Sequence, residues 1–243
     1  MALGGTGDKA ARAVADGPAA RGLRPRVYAP PPGPPRVLHA DAALVAVEKP
    51  AGLLTVPGRG DGMADCLVAR VAADFPGARA VHRLDLDTSG VVVLALTAEA
   101  HRHLGLQFER RRAEKRYVAV VAGGPEAEAG RIEAPLAVDW ERRPRQRIDP
   151  AGRPAVTDWR RLSDDPAAPP RGRARLALAP LTGRSHQLRV HLAEAGWPIL
   201  GDPIYADADA YAAAPRMLLH AEALALRHPD GGAPIRFEAP APF

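Results

Sequence analysis

His82-Arg83-Leu84-Asp85-Leu86-Asp87-Thr88-Ser89-Gly90 runs directly into Val91-Val92-Val93-Leu94-Ala95-Leu96. The second half is apolar and β-branched without alternation, the pattern of a strand covered on both faces. Thr88, Ser89 and Gly90 are turn formers. Asp85 therefore falls on a polar turn fed into a rigid central strand, a place where functional carboxylates are commonly held. A cation, Arg83, and an imidazole, His82, stand close by in the chain. An isolated Asp in a turn is more often merely solvated, so the weight rests on the whole string and on a second motif far downstream.

That second motif is Leu181-Thr182-Gly183-Arg184-Ser185-His186-Gln187-Leu188-Arg189-Val190-His191-Leu192. Gly183 marks a turn, Ser185 is the expected helix cap, and Leu188 and Leu192 lie four apart on an inward face, flanked by Val190. If Asp85 and Arg184 meet, the guanidinium keeps the carboxylate ionised in a partly desolvated pocket. An ionised carboxylate held that way serves as nucleophile or base with no cofactor.

The remaining composition narrows the class. The chain has 243 residues, 47% of them apolar and 25% charged, an ordinary globular balance. Its net charge of +5 points to a polyanionic partner. Lysine occurs only at Lys9, Lys49 and Lys115, so the cations are almost all arginine, which grips phosphate in bidentate fashion. Aromatics make up only 5%, too few for a surface built from many base-stacking rings. The single cysteine, Cys66, excludes an intramolecular disulfide and a Cys-based zinc site, which fits a reducing cytosol. No run approaches the roughly 20 apolar residues of a membrane span.

Residues 1–35 are rich in Ala, Arg, Gly and Pro and end in Pro30-Pro31-Pro32-Gly33-Pro34-Pro35. They have little to bury and are expected to form a disordered tail. From Arg36 the chain is strand-like at Val37–His39 and Leu44–Val47, helical over Ala64–Asp74 and Ala98–Arg112, and again strand-like over Lys115–Ala122 and Ala155–Trp159. Between these last two strands, Asp139–Asp149 gathers Trp140, Arg142, Arg143, Arg145 and Arg147 into a basic loop or hairpin arm suited to phosphate and base contact. A Pro-rich loop over Asp164–Gly172 precedes a strand at Arg175–Leu181, and closing strands fall at Met217–Leu226 and Ile235–Phe237. Many short strands with about three helices imply an α+β class: a mixed, largely antiparallel central sheet flanked by helices.

Other chemistries fit poorly. His186 and His191 are five apart, which separates them by about 140° around a helix, so they cannot share a metal ion. There is no Gly-Lys-Ser/Thr phosphate loop and no Gly-x-Ser-x-Gly elbow.

His82-Arg83-Leu84-Asp85 followed by Thr88-Ser89-Gly90 resembles the catalytic signature of the RluA family of RNA pseudouridine synthases. Glu48-Lys49-Pro50-Ala51-Gly52-Leu53-Leu54, Lys115-Arg116-Tyr117 and Thr182–His191 resemble further motifs of that family, and the likeness extends from about Pro35 to the end. The resemblance implies a pseudouridine-synthase-like catalytic domain over 36–243, without the N-terminal S4 domain of longer relatives. It implies Asp85 as the essential residue, Arg184 as its partner and Tyr117 beside the uracil, with no cofactor and no metal. Arg83, His82, Lys115, Arg116, Arg143, Arg145 and Arg189 are the expected RNA contacts, with a structural hydrogen-bonding role as the alternative for His82. Leu86 departs from the pattern, since many members carry a basic residue there. Leu53–Arg59, Phe75-Pro76, Asp139-Trp140 with Arg143-Pro144, and Pro198–Asp202 match the dual-specificity members best. They imply a cytoplasmic, monomeric enzyme acting on the tRNA anticodon loop and a 23S rRNA hairpin loop. The rival reading is a non-catalytic RNA-binding or ribosome-assembly factor that keeps the fold.

Overall fold

The computed structural model describes residues 27–162 and 172–243. The first part of the expected tail, with Arg21, Arg24 and Arg26, and nearly all of the Pro-rich loop lie outside them. The chain enters as β1 (Arg36–Ala40) and β2 (Leu44–Lys49), then α1 (Leu67–Asp74), β3 (Arg79–Ala80) and β4 (Ser89–Ala95). It continues through α2 (Ala98–Glu109), β5 (Glu114–Ala122), β6 (Ala129–Glu133), β7 (Leu136–Val138) and β8 (Gln146–Ile148). Then follow β9 (Val156–Arg161), β10 (Arg173–Pro180), α3 (Gln187–Glu194), α4 (Ala208–Ala212), β11 (Leu219–Arg227) and β12 (Pro234–Glu238).

Ten strands form one sheet in the order β1-β2-β4-β11-β5-β10-β9-β6, with β12 beside β11 and β3 beside β4. Within it β4 and β11 run parallel, and the other pairings are antiparallel. This is the mixed, largely antiparallel α+β arrangement expected from the strand pattern. Every residue of β4 is buried. Its Val91 and Val93 pack with Leu44, Ala46, Leu104 of α2 and Phe237 on one face. Its Val92 and Leu94 pack with Val45, Val47 and Leu67 and Val71 of α1 on the other. That two-sided cover explains the unbroken apolar run, since each such side chain contributes roughly 1.5–3 kcal/mol when removed from water. A third cluster seats α3 through Leu188 and Leu192 against Ala119, Leu176, Leu178 and Leu219.

Gly90 opens β4 at φ +118, beside Ala221 of β11. A Cβ there would collide with the Ala221 backbone, so the close parallel pairing behind the Asp85 turn demands glycine.

Local ends differ from the expected ones. Helix α1 begins only at Leu67, because Cys66 is its N-cap and accepts from the Ala69 N–H at 3.4 Å. Helix α2, capped by Thr97, stops at Glu109; Arg110 is its C-cap and Arg111 turns left-handed at φ +57. Residues 28–33 of the arm before β1 are tied down rather than solvated along their length. Tyr28 donates to Asp65 O at 2.7 Å and accepts from the Leu54 N–H at 3.1 Å, and Arg70 donates to the carbonyls of Pro31 and Gly33. These bonds tie the polyproline stretch to the start of α1. Strands β7 and β8 pair as a separate two-stranded hairpin, which is the basic arm. Among the described residues no helix is long and apolar enough to cross a membrane.

Candidate active site

The turn carrying Asp85 is clamped on both sides by its backbone. Thr55 Oγ1 donates to Leu84 O at 2.9 Å and accepts from the Leu84 N–H at 3.2 Å. Lys49, fully buried, donates to the carbonyls of Leu53, Pro50 and Leu86 at 2.7, 2.9 and 3.1 Å. Three carbonyl acceptors match the three N–H groups of an ammonium, so these bonds favour the charged form. Burial pulls its pKa down to about 7, and the carboxylates of Asp87 and Asp85 act against that fall. The Gly52 N–H also donates to Leu86 O. The Pro50–Gly52 bend thus serves as a buttress that fixes where Asp85 points.

Asp85 faces a cavity of about 490 Å³, lined by Tyr117, Lys115, Arg184, His186, Arg189 and Leu219 among others. Its side chain is 22% exposed, and Arg189 Nη1 lies 3.4 Å from Oδ2. Arg189, 3% exposed, meets Asp202 in a bidentate pair with both bonds at 2.7 Å. Asp202 Oδ1 accepts in addition from the N–H groups of Ile204 and Tyr205. A guanidinium held this way cannot rotate, and its remaining nitrogen is aimed at Asp85. Although burial opposes its charge, Asp202 and Asp85 hold Arg189 firmly protonated.

Tyr117 projects from β5 into the same cavity. Burial, and secondarily the charge of Asp85, raise its pKa, so the phenol keeps its proton. Lys115, on the same face of β5, donates to Thr182 O at 3.1 Å; burial, then Arg111, pulls its pKa to about 8.

Several expected roles are corrected by this geometry. Arg184 lines the cavity, but its Nε donates to Pro154 O at 3.1 Å; the arginine against Asp85 is Arg189. Arg189 is accordingly no surface RNA contact, being buried between two carboxylates. Arg116 points to the sheet face opposite Tyr117 and pairs with Glu222 at 2.8 Å, away from the cavity. His82 takes its structural alternative: Nε2 accepts from the Val93 N–H at 3.1 Å, the ring stacks on Phe108, and burial drives its pKa down to about 3. Ser185 is not the cap of α3. His186 occupies that position, and Gln187 ties the turn by accepting from Thr182 Oγ1 at 2.6 Å and the Arg184 N–H at 3.0 Å.

Arg83 is exposed on the cavity wall beside Asp85. Arg143 stacks over Trp140 at 3.6 Å on the hairpin tip, where Trp140 is 67% exposed. Arg145 lies over the Tyr205 ring at 5.2 Å. A cavity with a carboxylate and the exposed cation Arg83 on its wall, and a hairpin outside it that carries exposed cations and an exposed indole, suit a nucleotide taken from a longer strand.

Residues 43–194 match the RNA pseudouridylate synthase family. The chain belongs to that family. As a pseudouridylate synthase it is 47% identical over 218 residues to the dual-specificity RNA pseudouridine synthase RluA of Escherichia coli strain K12, covering 89% of this chain and 98% of that protein. It is 46% identical over 208 residues to the RluA of Yersinia pestis, across 85% of this chain and 99% of that one. Among solved structures it superposes on human RNA pseudouridylate synthase domain containing 1 with a TM-score of 0.71 at 28% identity, covering 88% and 87% of the two chains. Human RNA pseudouridylate synthase domain containing 4 follows at 0.67 and 27%, covering 85% and 88%.

Three parts of this synthase site escape a reading of the sequence. Asp202 lies thirteen residues beyond Arg189, after α3 has ended, and no spacing rule joins a helix to the turn that follows it. Tyr205 has no local signal. Arg189 had one: with the turn at Gly183 and helix from Gln187, a residue on the first turn of α3 can face the same cavity as that turn.

Proposed function

We propose that this synthase uses Asp85 as its essential carboxylate to convert uridine to pseudouridine in folded RNA loops, with no cofactor. The observation that carries the reading is Asp85 itself: a carboxylate on a turn whose backbone is clamped by Lys49 and Thr55, open to a cavity of about 490 Å³, with an immobilised guanidinium behind it. The reaction breaks the N1–C1′ glycosidic bond and forms a bond from C1′ to C5. The C5 proton is lost and N1 gains one, so nothing is oxidised and no co-reactant is consumed.

Asp85 acts as nucleophile or base, with the Arg189 guanidinium 3.4 Å from its Oδ2. Tyr117 supplies a neutral ring and hydroxyl beside the uracil. The target uridine must leave its stack, and Arg83 is long enough to fill the vacated space or hold a flanking phosphate. Lys115 and Arg184 line the pocket and Arg143 and Arg145 lie on the hairpin outside it, positions suited to the backbone of the loop. We assign the substrates as the tRNA anticodon loop and a 23S rRNA hairpin loop, both met in the cytoplasm by a monomer whose catalytic domain spans 36–243. Its likeness to the dual-specificity RluA proteins along nearly their whole length supports that assignment.

The test is Asp85→Asn, followed by pseudouridine mapping of tRNA and 23S rRNA incubated with each protein. The variant should form no pseudouridine while binding RNA as the parent does. Full turnover by the variant would overturn the reading.

A further inference from the structure

His186 is placed oddly for a residue with no chemical task. It takes the N-cap position of α3 with φ +54 and ψ 17, yet its side chain makes no capping bond. A left-handed backbone at a non-glycine residue is costly and is retained where the surroundings hold it, often at functional sites. The ring is turned into the pocket and is 10% exposed.

Both ring nitrogens have defined neighbours. Nδ1 lies 2.8 Å from the Tyr205 hydroxyl. That hydroxyl accepts from the Gln146 N–H of β8 at 2.8 Å. The charged groups near Tyr205 are Arg145, Arg189 and Asp202; the guanidinium groups only donate, and the Asp202 oxygens are taken up by Arg189 and the N–H groups of Ile204 and Tyr205. The hydroxyl therefore has Nδ1 as the acceptor for its own proton. Nδ1 accepts, and the imidazole proton is left on Nε2. Nε2 in turn lies 3.9 Å from Asp85 Oδ2, the same oxygen that Arg189 approaches.

We propose that His186 is a positioning residue for Asp85, its Nε2–H directed at Oδ2 by Tyr205, so that Oδ2 is held and Oδ1 is the oxygen presented to the uridine. A closure of about 1 Å brings Nε2 to hydrogen-bond distance of Oδ2. Tyr205 also connects this arrangement to the basic hairpin, because its hydroxyl is seated on β8 between Arg145 and Arg189. Seating of RNA on the hairpin and orientation of the carboxylate are thereby mechanically linked. Burial holds the His186 pKa below its usual value, in keeping with a neutral ring.

The proposal rests on Asp85 being the reacting carboxylate, and its test separates the two. Imidazole nitrogen resonances of the full-length protein labelled with ¹⁵N-histidine, assigned to His186 by difference with His186→Asn, report the tautomer without any RNA. The parent should show the Nε2–H form, and Tyr205→Phe should mix the two forms. In single-turnover assays His186→Asn should slow pseudouridine formation by about 10²-fold with RNA affinity unchanged. Asparagine tolerates the left-handed backbone, so that variant keeps the fold. His186→Gln, whose amide reaches the Nε2 position, should recover a large part of the rate. An Nδ1–H tautomer in the parent, or parental rate constants in His186→Asn, would overturn the proposal. Activity persisting in Asp85→Asn would instead overturn the assignment of the reacting group, with the tautomer result unaffected.

Discussion

Arg189 donates to both oxygens of Asp202 at 2.7 Å and turns its remaining nitrogen toward Asp85 at 3.4 Å. The buried aspartate thus aims the arginine, and the arginine sets the charge felt by the Asp85 carboxylate. Arg189→Met should reduce the rate of pseudouridine formation by about 10²-fold or more, since a fixed charge at the reacting group is lost. Arg184→Met should act on RNA affinity with the rate constant little changed, because its guanidinium is engaged with Pro154 O. Single-turnover kinetics against RNA binding separates the two.

Asp202→Asn leaves the buried Arg189 charge with only the longer, 3.4 Å contact to Asp85. Breaking a buried ion pair from one side costs about 3–5 kcal/mol. Urea unfolding should show a loss of that size, larger than for any substitution among the exposed arginines of the hairpin.

Gly90→Ala places a methyl group against the Ala221 backbone at a φ of +118. Strain and overlap together should cost at least about 3 kcal/mol. Thermal unfolding of the soluble fraction should report it, with Ser89→Ala as the milder neighbour.

Trp140→Ala and Arg143→Ala act at the hairpin tip, far from the buried core. Each base stacked on an aromatic ring contributes about 1–3 kcal/mol. RNA affinity should fall by about 5-fold or more in either variant, with thermal stability unchanged.

Part of the acid lability should trace to His82. Its Nε2 accepts from the Val93 N–H, and burial lowers its pKa from 6.5 to about 3. Between those values the unfolded chain binds a proton that the folded chain refuses, so stability falls as pH drops from about 6.5 towards 3. The slope from this group is at most about 1.4 kcal/mol per pH unit. His82→Gln, which keeps an acceptor for Val93 but does not titrate, should flatten that part of the stability profile in urea titrations at graded pH.

Much of the architecture was legible along the chain because its causes are local. The unbroken apolar run from Val91 announced a strand covered on both faces, and Thr88-Ser89-Gly90 announced the turn before it. The places of Asp85 and Tyr117 on or beside core strands were legible for the same reason, and both line one cavity; it was the family resemblance that singled out Tyr117. The arm at Tyr28–Gly33 was misread because composition reports what a segment can bury by itself. It does not report the Tyr28 hydroxyl bonding backbone groups of Asp65 and Leu54, or the Arg70 guanidinium reaching the carbonyls of Pro31 and Gly33.

The partner of Asp85 was misassigned for a related reason. Arg184 and Arg189 belong to one motif and carry the same charge, and nothing in their order says which guanidinium faces inward. That depends on where α3 starts, on Gln187 rather than Ser185 tying the turn, and on Asp202 returning to meet the helix. Periodicity, turn chemistry and composition act over a few residues and are written in linear order. The direction of a buried charge is set by contacts between segments a hundred residues apart in the chain, and it exists only once the sheet has brought β4, β5 and α3 to one cavity.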